Sequence, residues 1–352
     1  MTRTPQRQNS RAAASRDDGK VTLTMVAEAA GVSPSTVSRI LNGTAVVADE
    51  KRKAVDEAIE RLGFVPDPVA RGLAGGRTLS VGIVTQAIDS PFYGVALRGV
   101  EDEFDKAGYS PLFVSGHWNP IEEARCIDVL RARRVDGIIV LGGRLSDSAL
   151  RAYAKSLPMV VTGRTLKAPN LYSLNFDNVT GARQATEHLL ALGHQRIAFI
   201  SGDLGHPDAQ ERERGYRAAL EAAGVAFNPE LVVPGLFHEE GGLAAAEQLL
   251  EGRQRFSAIF AANDQMAVGA CLALHRRSLR VPLDYSVVGF DDLLASRHCL
   301  PPLPTVHQPA YELGQIASAA MLQMLRGEKP TAAMPPPRLI VRESTLARPD
   351  RG

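Results

Sequence analysis

From Leu23 to Leu41 the chain reads LTMVAEAAGVSPSTVSRIL, and the placement of its smallest residues decides the fold of the N-terminal part. Two helices that cross steeply need a small side chain where their backbones approach and a residue tolerant of positive φ in the turn; Ala27 and Gly31 fit those needs. Val26, Val32, Val37 and Ile40 then supply a shared core. Ser33 can cap the second helix, and Pro34 takes its first position, where a missing N–H does no harm. Ser35, Thr36, Ser38 and Arg39 stand at or near the exposed N-terminal face of that helix, polar donors at the end that a recognition helix points into the major groove. The spacing predicts a helix-turn-helix.

Outward from this stretch, residues Val21 to about Phe64 hold a purely helical pattern broken at Gly31, Asn42-Gly43 and Gly63, which reads as a three-helix unit. The first twenty residues are polar, with Arg3, Arg7, Arg11 and Arg16 but no apolar core of a secretory signal, and are expected to be a disordered tail. Residues 66 to 76 carry mixed signals: Pro68 can start a short helix and Gly75-Gly76 can stop it, while Gly72 inside costs about 1 kcal/mol relative to Ala. Such a helix, marginal alone, could fold against a partner. Beyond Leu79 short apolar runs alternate with helical stretches, the signature of a parallel α/β sheet. The expected strands are Leu79 to Thr85, Pro111 to Ser115, Gly137 to Leu141, Met159 to Thr162, Ile197 to Ser201, Ala258 to Ala262 and Ser286 to Phe290. The residues from Leu79 onward are near the upper limit for one core, so two α/β lobes with a cleft between them are expected. In open α/β sheets ligands sit at the carboxyl ends of the strands.

Composition narrows the function. The chain has 352 residues, 45% of them hydrophobic, and its 40 Lys plus Arg against 39 Asp plus Glu give a net charge of +1. No global field draws it to nucleic acid or membrane, so a charged partner must meet a local patch. No run approaches the ~20 apolar residues of a membrane span. Cys126, Cys271 and Cys299 are too few and too widely spaced for a disulfide framework or a zinc site, so reduced thiols and a cytoplasmic location are expected. There is no Walker loop, no His-Glu-x-x-His, no Gly-x-Ser-x-Gly and no Gly-x-Gly after the first strand, so neither catalysis, nor a metal, nor a dinucleotide or other cofactor is expected. No heptads follow Thr345, and a coiled-coil tetramer is not expected.

Val21-Thr22-Leu23, Val26-Ala27, Ala30-Gly31-Val32-Ser33, Thr36-Val37-Ser38-Arg39 and Asn42 together match the headpiece motif of the lac repressor and galactose repressor family of bacterial transcription regulators. The resemblance continues through Phe64-Val65-Pro66 and Ala70-Arg71-Gly72-Leu73 and covers roughly residues 21 to 346. It implies a DNA-binding headpiece at 21–65, a hinge helix at 66–78 that orders on operator, and a two-lobed core related to periplasmic binding proteins. The N-terminal lobe is expected at 79–176 and 307–337, the C-terminal lobe at 177–306 and 338–346. The DNA contacts it implies are Thr22, Ser33, Pro34, Ser35, Thr36, Ser38, Arg39 and Asn42 in the headpiece and Val69, Ala70, Arg71 and Leu73 in the hinge. Leu73 stands where the family's apolar residue pries open a central base step from the minor groove. Paired hinge helices require a homodimer on a pseudo-palindromic operator. Asp67 departs from the family, which commonly has Asn there, and instead caps the hinge helix in this reading.

In the core, Gln210-Glu211-Arg212-Glu213-Arg214-Gly215-Tyr216 resembles the family segment whose arginine reaches the effector. Arg212 is the aligned residue, and its guanidinium can donate two parallel hydrogen bonds to a sugar diol or a carboxylate. The alternative is a surface salt bridge with Glu211 or Glu213. Ala261-Ala262-Asn263-Asp264 and Val288-Gly289-Phe290-Asp291 also match family segments; Asn263 and Asp291 are expected as effector ligands, Asp264 as the cap of the following helix. Asp89 and Phe92 follow the first strand, where the family often contacts its ligand. Trp118 lies just past the strand ending at Ser115, placed either to stack on a pyranose face or to cover the lobe edge, and Arg164 ends the strand through Thr162. The expected function is that of a DNA-binding regulator, most often a repressor in this family, controlled by a small molecule, with a sugar favoured. The alternatives are a solute-binding protein and a sugar-acting enzyme fused to a DNA-binding unit.

Overall fold

The computed structural model describes residues 21–41, 47–65 and 77–348. The chain divides into two compact units, Met1–Thr78 and Leu79–Gly352.

Among the described residues the first unit contains three helices: α1 (Leu23–Ala29), α2 (Pro34–Leu41) and α3 (Asp49–Leu62). Thr22 caps α1, its hydroxyl accepting from the Met25 N–H at 3.4 Å. Gly31 turns the chain at φ 65°, a conformation that costs any residue with a Cβ about 1–2 kcal/mol. Ser33 caps α2 by accepting from the Thr36 N–H at 3.2 Å. Val26, Ala27 and Val37 are buried with Val55 and Ala58 of α3, and Val32 and Ile40 pack against them. The expected helix-turn-helix is therefore present, with Ala27 at its centre. Asn42, the hinge residues Val69, Ala70, Arg71 and Leu73, Asp67 and the first twenty residues lie outside the described residues.

The second unit holds two sheets. Strands β1 (Ser80–Thr85), β2 (Ser110–Ser115), β3 (Gly137–Val140), β4 (Met159–Thr162) and β5 (Leu171–Leu174) form one, in the order β2-β1-β3-β4-β5 and all parallel. Strands β6 (Ile197–Ser201), β7 (Val232–Pro234), β8 (Ala258–Ala261), β9 (Ser286–Asp291), β10 (Thr305–His307) and β11 (Arg338–Ile340) form the other, in the order β11-β10-β9-β8-β6-β7, parallel except for β11. The strands expected from the sequence are present within a residue at either end. β7, β10 and β11 have three residues each, too few to show a periodicity, and β5, as long as β4, has the half-buried Tyr172 and Ser173 at its middle in place of an apolar run; all four are absent from that expectation.

Helices flank both sheets: α4 (Pro91–Lys106), α5 (Pro120–Ala132) and α6 (Asp147–Ala154) lie in the first lobe. The second lobe has α7 (Asn178–Ala191), α8 (Pro207–Ala222), α9 (Glu239–Glu251), α10 (Asp264–Arg276) and the short α11 (Leu294–His298). The last helix, α12 (Ala310–Leu325), returns to the first lobe, where Ala317, Ala320 and Met321 join the core of Val81, Ile83 and Phe104. Its backbone almost touches α4: a Cβ on Gly99 would stand 2.1 Å from the Tyr311 carbonyl, and one on Gly314 would stand 2.0 Å from the Ala96 carbonyl. The chain thus crosses between lobes three times, after β5, after β10 and before β11, which permits the lobes to move as bodies about a shared waist. His194 ties the tail to the second lobe, its ring nitrogens lying 2.9 Å from Ser257 Oγ and 3.1 Å from the Leu346 carbonyl. Among the described residues no helix is long and apolar enough to cross a membrane.

Candidate functional site

On α2 the side chains of Ser35 and Arg39 are exposed and lie one turn apart, on a common face. Thr22, Ser33 and Pro34 are exposed beside them, while Thr36 and Ser38 are half-buried. The Ser33 hydroxyl is shared, at 2.8 Å from both the Ser35 and the Thr36 hydroxyls. Ser33 therefore shapes the start of the helix, and Ser35 and Arg39 present its outward groups.

The second unit opens a cavity of about 770 Å³ between the carboxyl ends of its two sheets, within the size range of small-molecule pockets. From the first lobe come Asp89, Phe92 and Tyr93 after β1, Trp118 after β2 and Arg144 after β3; from the second come Asp208, Phe237, Asn263, Asp291 and Gln308. Gly142 makes room for this wall, because a Cβ there would stand 2.9 Å from the Tyr93 hydroxyl and 3.3 Å from the Trp118 ring.

Arg212 is the buried centre of the second lobe's side. It is 4% exposed, donates through Nε to Asn178 Oδ1 at 2.9 Å and through Nη2 to Gln308 Oε1 at 2.9 Å, and donates to the Ala262 carbonyl. Its Nη1 lies 3.5 Å from Asp291 Oδ1, and the guanidinium stacks 3.8 Å above the Phe290 ring. The flanking glutamates do not hold it: Glu211 pairs with Arg214 and Glu213 with Arg217. The surface salt-bridge alternative for Arg212 is set aside by this burial.

Asp291 ends β9 at φ 110°, followed by Asp292 at φ 57°, two successive backbones that L residues rarely adopt and that persist only where the surroundings hold them. Asp292 supplies the hold. Its carboxylate accepts from Arg297 at 3.0 Å, from Arg342, and lies 2.9 Å from His307 Nδ1. Burial works against that charge, but the hydrogen bonds from Arg342, Arg297 and His307 keep its pKa below the ordinary value. Asp291, turned into the cleft, is pushed up to about 7 by burial and by the charge of Asp208, against the pull of Arg212. Burial likewise raises Asp208, with Arg212 and Arg164 opposing. Tyr93 is raised by burial and then by the charges of Asp208 and Asp291.

Asp89, Phe92, Trp118, Arg212, Asn263 and Asp291 of the expected set all line the cavity. Arg164 does not: its guanidinium donates to the Leu145 carbonyl at 2.7 Å and to the Gly143 carbonyl, bracing the loop after β3. Asn263 lines the wall but is largely engaged, capping α10 by accepting from the Met266 N–H at 2.9 Å and donating to the Phe237 carbonyl at 3.0 Å. Asp264 is not the cap expected of it; its carboxylate accepts from the Leu293 N–H at 2.7 Å and the Thr305 hydroxyl at 2.6 Å, tying the start of α10 to the loop after β9 and to the first residue of β10.

Trp118 departs from a free stacking plate. Its ring packs across the cleft on His206, with centroids 3.7 Å apart and planes at 45°. Beside it Arg144 pairs with Asp203, again one residue from each lobe. Arg144 is held in place by the fully buried Glu123, whose carboxylate accepts from the Arg144 N–H at 2.8 Å and the Leu145 N–H at 2.9 Å. Burial and then the Arg144 charge lower His206 to about 4, so the ring is neutral near pH 7. Tyr93, Arg144, His206, Asp208, Phe237 and Gln308 escape the sequence reading. For His206 and Asp208 a signal exists, since they follow the end of β6; Phe237 and Gln308 follow strands too short to detect. Among the described residues no cluster of His, Cys, Asp and Glu could hold a metal ion.

Comparison with known proteins gives two family matches: "Bacterial regulatory proteins, lacI family" over residues 22–67 and "Periplasmic binding protein-like domain" over residues 186–345. The transcriptional regulator DegA of Bacillus subtilis is 34% identical over 332 residues, 93% of this chain and 98% of that protein. The lac repressor dimer bound to operator and the anti-inducer ONPF superposes with a TM-score of 0.85 at 32% identity, over 93% of this chain and 100% of that one. The transcriptional regulator CelR in complex with cellobiose has a TM-score of 0.68 at 34% identity, over 92% of this chain and 100% of that one.

Proposed function

The chain belongs to the lacI family of bacterial regulatory proteins, and on that premise we propose that it is a repressor whose hold on operator DNA is set by a sugar bound between its core lobes. Its relatives are transcriptional regulators, which sets aside the enzyme alternative, and its headpiece weighs against a plain solute-binding role. The observation that carries the effector reading is the buried Arg212, fixed by Asn178, Gln308 and Asp291 and opening on a cavity walled by Phe92, Tyr93 and Phe237. Fixed polar groups set among rings suit the alternating hydroxyl and C–H faces of a sugar. The related CelR holds cellobiose, and the lac repressor dimer holds operator together with an anti-inducer.

The same reading includes a homodimer on a pseudo-palindromic operator in the cytoplasm, with Ser35 and Arg39 at base edges, Thr22, Ser33, Pro34, Thr36, Ser38 and Asn42 around them, and Val69, Ala70, Arg71 and Leu73 in the minor groove. The effector acts by binding one lobe arrangement better than the other, and coupling of this kind is typically about 1–3 kcal/mol. The test takes an operator selected from a random duplex pool and follows its anisotropy with the full chain at fixed salt, with and without sugars that raise the melting temperature. A sugar that shifts operator affinity about 5–150-fold is the expected result. Selection of no sequence above background refutes the DNA reading. Binding of sugars that leaves operator affinity unchanged refutes the coupling.

A further inference from the structure

The cleft wall is lopsided in charge. Six acidic side chains, Asp89, Asp203, Asp208, Glu239, Glu240 and Asp291, line it against the guanidiniums of Arg144 and Arg212; Asp291, raised to about 7, is only partly ionised near neutral pH. Both guanidiniums are already engaged, Arg144 by Asp203 and Arg212 by Asn178, Gln308, the Ala262 carbonyl and Asp291. Helix N-termini at the ends of parallel strands are ordinarily where phosphate is received, because unpaired N–H groups and the helix dipole favour an anion. Here the chain has placed its own acids at those positions: Asp208 in the first turn of α8, Glu239 and Glu240 in that of α9, and Asp264 in that of α10.

The inner groups feel the resulting field. After burial, the charge of Asp208 is the next cause raising Tyr93; at Asp291 burial comes first, and the pull of Arg212 outweighs the charge that Asp208 adds. The rings of Phe92, Tyr93, Trp118, His206 and Phe237 share the wall, and ring faces attract an ammonium group rather than an anion.

We propose that the cleft admits an effector free of anionic groups, an uncharged or amine-bearing polyol, and excludes the phosphate esters of the same polyols, with Asp208 setting the discrimination. This rests on the effector reading above and narrows it. A phosphate dianion in this cavity meets carboxylates it cannot neutralise and guanidiniums it can reach only by breaking their existing pairs. Neutral hydroxyls meet the same carboxylates as donors to acceptors.

The test uses the full chain and matched probe sets: glucose, glucosamine and glucose 6-phosphate; ribose and ribose 5-phosphate; cellobiose and its phosphate ester. Trp118 is the only tryptophan in the chain and lines the cavity, so its emission reports entry directly, with calorimetry for affinity. Within any set that binds, the phosphate ester is expected to bind at least tenfold more weakly than the neutral or amino member. Asp208→Asn is expected to narrow that ratio at least threefold, and Glu240→Gln, exposed at the rim, serves if Asp208→Asn fails to fold. An ester that binds as tightly as its parent overturns the proposal and leaves the sugar-effector reading standing. Silence from every probe overturns both.

Discussion

Replacing His206 with Ala should open the cleft, and the size of the effect can be worked from two contacts. The Trp118–His206 ring pair, with centroids 3.7 Å apart, is of a kind worth about 0.5–1.5 kcal/mol beyond its area. The neighbouring Arg144–Asp203 pair is about a third exposed on both sides, so solvent screening limits it to at most about 1 kcal/mol. Together they favour the joined lobes by about 0.5–2.5 kcal/mol, a factor of about 2–70 in population. His206→Ala removes the first part outright, and Arg144→Ala removes the second. Trp118 is the sole indole in the chain, so steady-state emission and acrylamide quenching need no deconvolution. The variant should show red-shifted emission and stronger quenching.

Acid supplies an independent route to the same state. Because the folded protein holds His206 at about 4 instead of the ordinary 6.5, the unfolded chain binds the proton more readily. The stability this ring contributes is therefore complete above pH ~6.5 and is lost as pH falls toward 4, a loss on the order of 3 kcal/mol. Trp118 emission should titrate with a midpoint near 4 in the wild type, and the transition should vanish in His206→Ala. An unchanged spectrum and quenching constant in the variant, or a wild-type midpoint near 6.5, would refute the cross-lobe contact and its consequence.

Arg39→Ala should weaken binding to the selected operator by about 1–3 kcal/mol while leaving sugar affinity intact; equal anisotropy curves for variant and wild type would remove Arg39 from the interface. Asp291 is raised from 3.8 to about 7, so the folded chain keeps a proton that the unfolded chain has lost, and this contribution, on the order of 4 kcal/mol, is present below pH ~3.8 and lost as pH rises through 7. Because His206 acts in the opposite sense below pH ~6.5, the decline is read as the difference between wild type and Asp291→Asn in denaturant titrations from pH 4 to 8; a difference that stays constant with pH would place the titration elsewhere. Gly31→Ala should destabilise the headpiece by about 1–2 kcal/mol through its positive φ alone, since a Cβ there meets nothing within 4 Å; thermal melts in which this substitution is neutral would reject the left-handed turn.

What can be read in advance follows burial and length. The runs Ile197–Ser201 and Met159–Thr162 are buried throughout, so each is apolar up to its closing Ser or Thr and announces a parallel strand. Val232–Pro234 and Thr305–His307 are three residues each, less than any periodicity can register, and the residues that follow them, Phe237 and Gln308, go unseen with them. Arg212, Asn263 and Asp291 are legible because each sits in a segment resembling the family's. Resemblance names the residues but not their engagements. The amide of Asn263 is taken up by a helix cap and a carbonyl, and Arg164, at an equally suggestive strand end, turns inward to brace a loop.

Trp118 shows why the remainder is hidden. An isolated indole at a strand end reads as a plate for a ligand, and nothing in residues 203 to 208, a polar stretch that looks like a solvent loop, says that His206 will meet it from the other lobe. Contacts across a cleft join segments that share no local pattern, and they form only once both sheets have placed their strand ends opposite each other. The ligand must compete with such contacts or be enclosed by them, so the residues that govern response to the effector belong to the pairing of the lobes and not to either lobe's sequence.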